Sequence, residues 1–157
     1  MQTSAELATE SHDLFEILGT NHLEFYVGNA RQAAYYYRRA FGFELVAYRG
    51  PETGHRETAS YCLRQNKINF VLTTPLTAAH PANEFLVKHG DGVKDIALTV
   101  ANATEAFAIT TSRGATPVTE PYTVEDEFGS VTLSAVATYG DVIPVSYTHL
   151  RAHETHH

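Results

Sequence analysis

The feature that most constrains the fold is an internal repeat, in which a strand followed by an asparagine-capped helix occurs twice. The two copies occupy residues 22–34 and 95–107, a constant separation of 73 residues. The matched positions are Val27 and Val100, Asn29 and Asn102, Ala30 and Ala103, Gln32 and Glu105, and Ala33 and Ala106. A constant separation across two kinds of element is typical of an internal duplication.

The first repeat predicts a strand, a helix and three further strands. A strand over 22–27 precedes Asn29, whose side chain is suited to accept a hydrogen bond from the first turn of a helix. Gly42 ends that helix, and strands are predicted over 43–48, 57–63 and 67–73. The apolar helical stripe consists of Ala30, Ala33, Ala34, Tyr37, Ala40 and Phe41, with Arg31, Arg38 and Arg39 off it.

The second repeat has the same order and follows a glycine-rich turn around Asp91. A short helix over 84–88 precedes the turn. The pattern then predicts a strand over 93–100, a helix over 104–113, a strand over 115–118, a loop over 121–129 and a strand over 130–137. A fourth strand begins at Val142 and Ile143, but Pro144 obstructs a central strand. We therefore expect this last strand to be incomplete.

These patterns predict an α+β fold built from duplicated β-α-β-β-β modules. The expected domain covers 18–143, with modules at about 20–75 and 90–143. Residues 1–17 are polar and aperiodic, which predicts a loose N-terminal arm. Residues 144–157 hold four of the nine histidines without strand or helix periodicity, and we interpret them as a tail foreign to the fold.

The composition indicates a soluble, cytoplasmic protein. A hydrophobic fraction of 43% is sufficient for a core, and a net charge of −7 disfavours nucleic acid or an anionic membrane as partner. The first residues lack the features of a signal peptide, and no apolar run has the length of a membrane span. The single Cys62 alternates with Tyr61 and Leu63, which favours a structural strand position over a nucleophile.

The last five residues, His153–His157, match the zinc-protease pattern H-E-x-x-H. That pattern needs a stable helix, a third ligand and a cleft, whereas these residues lie at the end of a polar tail. We interpret the match as accidental.

His22 is a stronger metal candidate, because it begins the first strand and the repeat offset pairs it with Asp95. Ligands at equivalent strands of two repeats, with carboxylates from the last strands, would form a site with open coordination positions. The predicted strand over 67–73 contains no acidic residue, so too few ligands are available. A structural role for His22 is therefore favoured.

The remaining charged and aromatic residues are expected to be structural. Asp91 lies between two glycines and is interpreted as a turn residue. The charged loop over 49–57 is expected to be solvated surface or a subunit contact. Of the three consecutive tyrosines, Tyr37 is expected in the core, and Tyr35 and Tyr36 outside it.

Duplicated β-α-β-β-β modules resemble the vicinal oxygen chelate superfamily, whose glyoxalase-like members form half-open barrels. Six segments are more specific and resemble the N-terminal domain of the 4-hydroxyphenylpyruvate dioxygenase family. They are residues 27–36, 45–54, 56–61, 70–73, 89–97 and 138–141. The resemblance covers about residues 15–143.

The resemblance implies a non-haem Fe(II) enzyme of tyrosine and phenylalanine catabolism that converts 4-hydroxyphenylpyruvate and O₂ to homogentisate and CO₂. In this family two His and one Glu of a C-terminal domain hold the iron, and the complete enzyme is expected to be a homo-oligomer. We therefore predict no catalytic, cofactor-binding or metal-binding residue in this chain, and no iron held by it. His22 occupies a superfamily ligand position that the family's N-terminal domain does not use.

Two alternatives remain open. The N-terminal domain of a hydroxymandelate synthase would share this architecture and substrate, and would differ in the C-terminal pocket. A free-standing, metal-independent binding module of the bleomycin-resistance type would instead require a complete fourth strand in the second module.

Overall fold

The computed structural model describes residues 14–137 and, for the backbone alone, residues 144–152. The described residues divide into two compact units. The first unit is centred on Thr20–Ala97, and the second contains residues 14–19, 98–137 and 145–152. The α+β character predicted from the sequence is confirmed in both units.

The first unit has the predicted order of strand, helix and three strands. These elements are β1 (Ile17–Tyr26), α1 (Ala30–Phe41), β2 (Glu44–Arg49), β3 (Thr58–Gln65) and β4 (Ile68–Pro75). The short helix α2 (Ala82–His89) and strand β5 (Gly92–Val100) follow. The predicted elements are confirmed with shifted boundaries, the largest shift being at the start of β1.

The strands of the first unit form a sheet in the order β2-β3-β4-β1-β5. β1 is parallel to β4, with Leu23 opposite Phe70, and β3 is antiparallel to both β2 and β4. Side chains alternate between the two faces of a strand. β1 therefore turns Phe25 and Val27 toward helix α1 and turns Glu24 and Tyr26 toward the opposite face.

Helix α1 and the sheet enclose the core of the first unit. Its buried members are Val27, Ala30, Ala34, Phe43, Leu63 and Leu72. The partly buried ring of Phe70 stacks on Phe43 with 4.8 Å between ring centres. The predicted stripe is correct over the first two turns of α1, but Phe41 is 52% exposed and Ala40 is also exposed, so the last turn leaves the core.

The second unit packs helix α3 (Ala103–Ser112) against strands β6 (Thr116–Asp126) and β7 (Gly129–Ala137). Its core contains Val100, Ala103, Ala106 and Val136. The buried hydroxyl of Ser134 donates a 3.0 Å hydrogen bond to the carbonyl of Ala103, which ties β7 to the start of α3.

The last residues of the predicted N-terminal arm are packed within the second unit. Phe15 packs against the core of the second unit, and the amide of Ala101 donates a 3.0 Å hydrogen bond to the carbonyl of Glu16. Residues 15–17, which the sequence places in a loose arm, are therefore held by apolar packing and a backbone bond. Residues 1–13 lie outside the described part of the chain.

Strand β6 replaces the predicted short strand and loop over 115–129. It pairs with β7 from Thr116 opposite Ala137 to Asp126 opposite Gly129. The register shifts between Pro117 and Thr119 and again between Thr119 and Tyr122, around Pro121. Proline is tolerated at such irregularities because an irregular position need not donate a ladder hydrogen bond. The prediction of a loop over 121–129 was therefore wrong, because Pro121 predicts the end of a strand but lies within β6.

The prediction that the last strand of the second module is incomplete was also wrong. Residues Pro144–Ala152 form strand β8, which lies next to β7 in the order β8-β7-β6. Pro144 is the first residue of the strand, a position where a missing amide hydrogen is tolerated. The segment is also rich in Val, Tyr and Thr, which favour strands. The foreign origin assigned to this tail stays a prediction, and residues 153–157 lie outside the described residues.

The two helix starts show the duplication most directly. Asn29 caps α1 with backbone angles φ −143° and ψ 94°, and Asn102 caps α3 with φ −148° and ψ 108°. Each asparagine Oδ1 accepts a 3.0 Å hydrogen bond from the amide three residues ahead, that of Gln32 or Glu105. Both caps lie at the predicted separation, so the internal repeat is confirmed.

Candidate functional site

His22 is not part of an assembled metal site in the described structure. It is half-buried on β1, and its Nδ1 lies 2.8 Å from Oδ1 of Asn21. Asp95, its repeat counterpart, lies on β5. Within residues 14–137, no three His, Cys, Asp or Glu side chains converge so that they could hold a metal ion. Because non-haem iron needs a facial set of three such ligands, the described residues do not fit it.

A cluster of polar side chains covers the sheet face opposite α1, and we call it the Glu24 cluster. The hydroxyls of Ser60 and Thr73 lie 2.7 Å apart, and Thr73 donates a 3.4 Å hydrogen bond to the Glu24 carboxylate. The other carboxylate oxygen of Glu24 lies 3.8 Å from the ammonium of Lys94. That ammonium is also 5.5 Å from the ring centre of Tyr26.

The polar groups of the Glu24 cluster contact one another. Burial raises the pKa of the Tyr26 phenol, while the nearby Lys94 ammonium acts in the opposite direction. Phe85 of α2 contacts the Tyr26 ring edge-on, with 5.5 Å between ring centres. Tyr26 therefore remains a protonated phenol at neutral pH, and the carboxylate and ammonium are paired with each other. This pairing favours a role in stabilising the sheet face.

The sequence signal for this cluster is the alternation of polar residues along β1, which belongs to no motif. Residues 22, 24 and 26 are polar or amphipathic at alternate positions of β1, which is the period of a strand with one polar face. The partners on β3, β4 and β5 come from distant parts of the chain, so only the sheet order brings them together.

Asp91 joins the end of the α2 turn to the start of α1. Its Oδ1 accepts a 2.8 Å hydrogen bond from the amide of Gly28, and the carbonyl of Gly28 accepts a 3.1 Å bond from the Thr74 hydroxyl. Gly90, next to Asp91, has a φ of 68°, which is the positive value expected of a glycine turn. Asp91 is thus a turn residue, as predicted, whose carboxylate also closes a contact between distant segments.

A cavity of about 510 Å³ lies beside this contact, between α1 and the beginning of β5. Its lining contains both apolar side chains and polar amide, phenol and carboxylate groups. The residues are Phe25, Val27, Asn29, Gln32, Ala33, Tyr36, Tyr37, Leu72, Asp91, Gly92 and Val93. All belong to the first unit, and most come from the helix and strands of its core.

The outward face of α1 carries the exposed tyrosines that the sequence predicts. Tyr35 and Tyr36 are 61% and 56% exposed, whereas Tyr37 packs against the core. The guanidinium of Arg39 lies 5.7 Å from the ring centre of Tyr35, one helical turn away. The predicted division of the three tyrosines is confirmed.

The charged loop after β2 is folded into one turn of 3₁₀ helix over Pro51–Thr53. The Thr53 hydroxyl accepts a bond from the Gly50 amide and donates one to the Gly50 carbonyl, both 2.9 Å long. The Tyr48 hydroxyl donates a 2.6 Å bond to Glu52, which raises the pKa of Tyr48 to about 12 and lowers that of Glu52. Residues 51–57 are all exposed, which is consistent with a solvated surface.

Cys62 lies half-buried on β3, opposite Val71. Burial raises the pKa of its thiol, so the thiolate form needed of a nucleophile is disfavoured. The His153–His157 pattern lies outside the described residues.

The chain matches a protein family described as "Hydroxyphenylpyruvate dioxygenase, HPPD, N-terminal" over residues 13–149. Among curated relatives, a 4-hydroxyphenylpyruvate dioxygenase of Xenopus tropicalis is 44% identical over 133 residues, covering 84% of this chain and 34% of the relative. One of Coccidioides posadasii is 42% identical over 142 residues, covering 82% of this chain and 36% of the relative. The chain thus spans about a third of the length of the curated relatives it matches.

Solved structures give the fold. A mutant 4-hydroxymandelate synthase of Streptomyces coelicolor matches with a TM-score of 0.77 and 22% identity, over 88% of this chain and 43% of that protein. A methylmalonyl-CoA epimerase of Mycobacterium tuberculosis matches with a TM-score of 0.63 and 16% identity, over 90% and 94% of the two chains. At these identities the likeness concerns the fold alone, which is the glyoxalase-like vicinal oxygen chelate fold.

Proposed function

Since the chain belongs to the 4-hydroxyphenylpyruvate dioxygenase family, through the N-terminal domain of that family, we propose that it is the N-terminal portion of such an enzyme. The whole protein would be an Fe(II)-dependent oxidoreductase that converts 4-hydroxyphenylpyruvate and O₂ to homogentisate and CO₂ in tyrosine and phenylalanine catabolism. The family match over residues 13–149 carries this proposal. The identity of about 40% to curated dioxygenases supports it further.

The role proposed for this portion is that of a scaffold. Bound in the whole enzyme, iron would supply the activation of O₂, and no catalytic, cofactor-binding or metal-binding role is assigned to a residue of this chain. The donor set of the described residues supports this division, because three suitable ligands do not converge in it. What the described residues do is maintain the sheet face through the Glu24 cluster and fix the start of α1 through Asp91.

A cytoplasmic homo-oligomer is proposed for the complete enzyme. In the described part of the chain, no helix combines the length and hydropathy that crossing a bilayer requires. The net charge of −7 gives no support to a nucleic-acid partner.

Hydroxymandelate synthase is the second candidate within this architecture. The TM-score of 0.77 to such an enzyme favours it as a fold relative. The dioxygenases are nevertheless closer in sequence, at 42–44% identity against 22%. A bleomycin-resistance-type binding module is no longer disfavoured by a missing fourth strand, since β8 is present, but no comparison specifically supports it.

Iron titration and oxygen uptake test the scaffold role. We expect the purified chain to bind no stoichiometric Fe(II) and to consume no O₂ with 4-hydroxyphenylpyruvate, because the proposed iron ligands belong to another domain. A complete dioxygenase, assayed in parallel, is the positive control. Homogentisate formation by this chain alone, at a rate comparable to that control, would contradict the proposal.

A domain exchange tests the family role directly. Residues 14–152 would replace the matching N-terminal segment of the Xenopus tropicalis dioxygenase, which is 44% identical. We expect the chimera to produce homogentisate, because scaffold function depends on the fold. The C-terminal pocket of the chimera is that of the dioxygenase, so this assay tests the shared scaffold and does not choose between the two candidates. A folded, iron-loaded chimera that forms no homogentisate would count against a shared scaffold.

A further inference from the structure

The cavity beside α1 has the size and the lining of a small-molecule site. Its volume is about 510 Å³, and ligand cavities of proteins span roughly 300–1,000 Å³. The buried side chains of Val27 and Leu72 and the partly buried ring of Phe25 form its apolar lining. Asn29 and Gln32, both exposed, add amide groups. Apolar walls with a few polar groups are the usual combination in a ligand site.

The internal repeat shows which chemical group fits these walls. Val27 and Ala33 line the cavity. At the separation of 73 residues, their counterparts in the second unit are Val100 and Ala106. Both counterparts belong to the core of that unit, and the ring of Phe15 packs against this core. The repeated apolar positions therefore accept a phenyl ring in one of the two units.

The polar neighbours of this ring are repeated as well. Phe15, Asn102 and Glu105 together line a second cavity, of about 750 Å³, at the start of α3. Asn102 and Glu105 are the counterparts of Asn29 and Gln32, which line the cavity beside α1. The second unit thus places a ring of its own chain where apolar and polar positions meet, and the matching positions of the first unit border the cavity of about 510 Å³.

A single charged group determines which aromatic compound suits the cavity. Among the described residues that line it, only Asp91 carries a formal charge at neutral pH. Oδ1 of Asp91 accepts the hydrogen bond from the Gly28 amide, and within residues 14–137 no hydrogen bond reaches Oδ2. None of the arginines of α1 is among the described lining residues; they are Arg31, Arg38 and Arg39. A carboxylate oxygen beside aromatic walls is suited to a protonated amine.

We propose that the cavity beside α1 binds a small aromatic compound that carries a protonated amine. The ring lies against Phe25 and Val27, as Phe15 lies against the matching core of the second unit, and the ammonium group donates to Asp91. An aromatic acid is excluded by charge, because its carboxylate would meet that of Asp91. An aliphatic amine lacks the ring that the apolar walls accept. This site has no part in the reaction proposed for the whole enzyme, and the proposal does not depend on that reaction.

Phenethylamine is the probe, because it joins a phenyl ring to an ammonium group by a short linker. The isotope-labelled 157-residue chain is titrated with it and followed by NMR. We expect saturable shifts of the amides of Ala33, Gly92 and Val93, with a dissociation constant of about 1 mM or below, the range of weak ligands. Phenethyl alcohol, which lacks the charge, and butylamine, which lacks the ring, should each bind about fivefold more weakly or worse. Phenylacetate should not bind.

Two variants separate the charge from the shape of the cavity. Asp91→Asn keeps an oxygen for the Gly28 amide and removes the charge. It should raise the dissociation constant of phenethylamine about fivefold and leave that of phenethyl alcohol unchanged. Ala33→Leu fills the cavity, retains a good helix former and should abolish binding of both compounds. Glu57→Gln is the matched control, because it removes an exposed charge outside the described lining and should leave both constants unchanged.

The second unit supplies an internal control. The amides of Ala103 and Ala106 should not shift, because Phe15 already covers the apolar positions there. Equal shifts at both helix starts would overturn the proposal, since they would show adsorption to any such surface. An unchanged phenethylamine constant in Asp91→Asn, binding that persists in Ala33→Leu, or no saturation up to about 10 mM probe would overturn it too. Thermal melting of each variant confirms that it is folded, and none of these results alters the outcome of the chimera assay.

Discussion

At the scale of single residues, Gly28 is held by side chains from two distant segments. Asp91 accepts from its amide and Thr74 donates to its carbonyl, at 2.8 Å and 3.1 Å. Gly28 immediately precedes the asparagine that caps α1. The backbone amide and carbonyl of Gly28 are therefore both hydrogen-bonded to side chains from elsewhere in the chain. The direction in which α1 leaves the sheet depends on these side chains.

Asp91→Ala should lower the free energy of unfolding by about 1 kcal/mol, the usual contribution of one intramolecular hydrogen bond. Asp91→Asn keeps an oxygen that can accept from Gly28 and should lose less. Urea denaturation followed by circular dichroism measures both variants. Equal losses for the alanine and asparagine variants would show that the hydrogen bond to Gly28 is not the cause.

The pair Tyr48 and Glu52 gives a pH-dependent prediction. Its hydrogen bond raises the pKa of Tyr48 from 10.0 to about 12 and lowers that of Glu52 from 4.5. The contribution of the bond to stability is therefore complete below the ordinary tyrosine pKa, and it is lost as the pH rises toward about 12. At the acid end, it is lost as the pH falls through the lowered pKa of Glu52.

Titration of the tyrosine ring carbons by NMR tests this assignment. Glu52→Gln removes the charged acceptor and should bring the Tyr48 midpoint back toward 10.0. Tyr26 is the internal control, because its raised pKa results mainly from burial and should remain in this variant. An unchanged Tyr48 midpoint would refute the assigned cause.

At the scale of elements, the predicted and observed strands differ most at two prolines. Pro121 predicts a loop and Pro144 predicts the end of the fold, yet both lie in strands. Pro121 coincides with a register shift in β6, and Pro144 begins β8. In both places the missing amide hydrogen is tolerated. A sequence shows where a proline is, but only the neighbouring strand shows whether an amide hydrogen is needed there.

Removal of β8 should expose β7 in the second unit. A chain ending at residue 143 is expected to unfold at lower urea concentration than the full chain, because β7 loses a neighbouring strand. Amide hydrogen exchange should accelerate in β7 (Gly129–Ala137) and remain little changed in β3 (Thr58–Gln65). Equal exchange in β7 of both chains would show that β8 does not pair stably with it.

At the scale of the whole molecule, the repeat was predictable and the polar contacts were not. Asn29 and Asn102 are recognisable in sequence because a helix cap is a local signal, and their separation shows the duplication. The contact of Lys94 with Glu24 spans the chain and depends on the sheet order, which no local pattern contains. The absence of assigned site residues in this chain stays a prediction.

The position of β5 has a consequence for how such a chain can be recombined. β5 belongs to the second repeat in sequence, yet residues 92–97 complete the sheet of the first unit beside β1. The sequence repeat and the structural unit are therefore out of phase by one strand. A genetic crossover at the repeat boundary near residue 90 would separate residues 92–97 of β5 from the rest of the first unit. The two sequence repeats could therefore not be exchanged independently by recombination at that boundary.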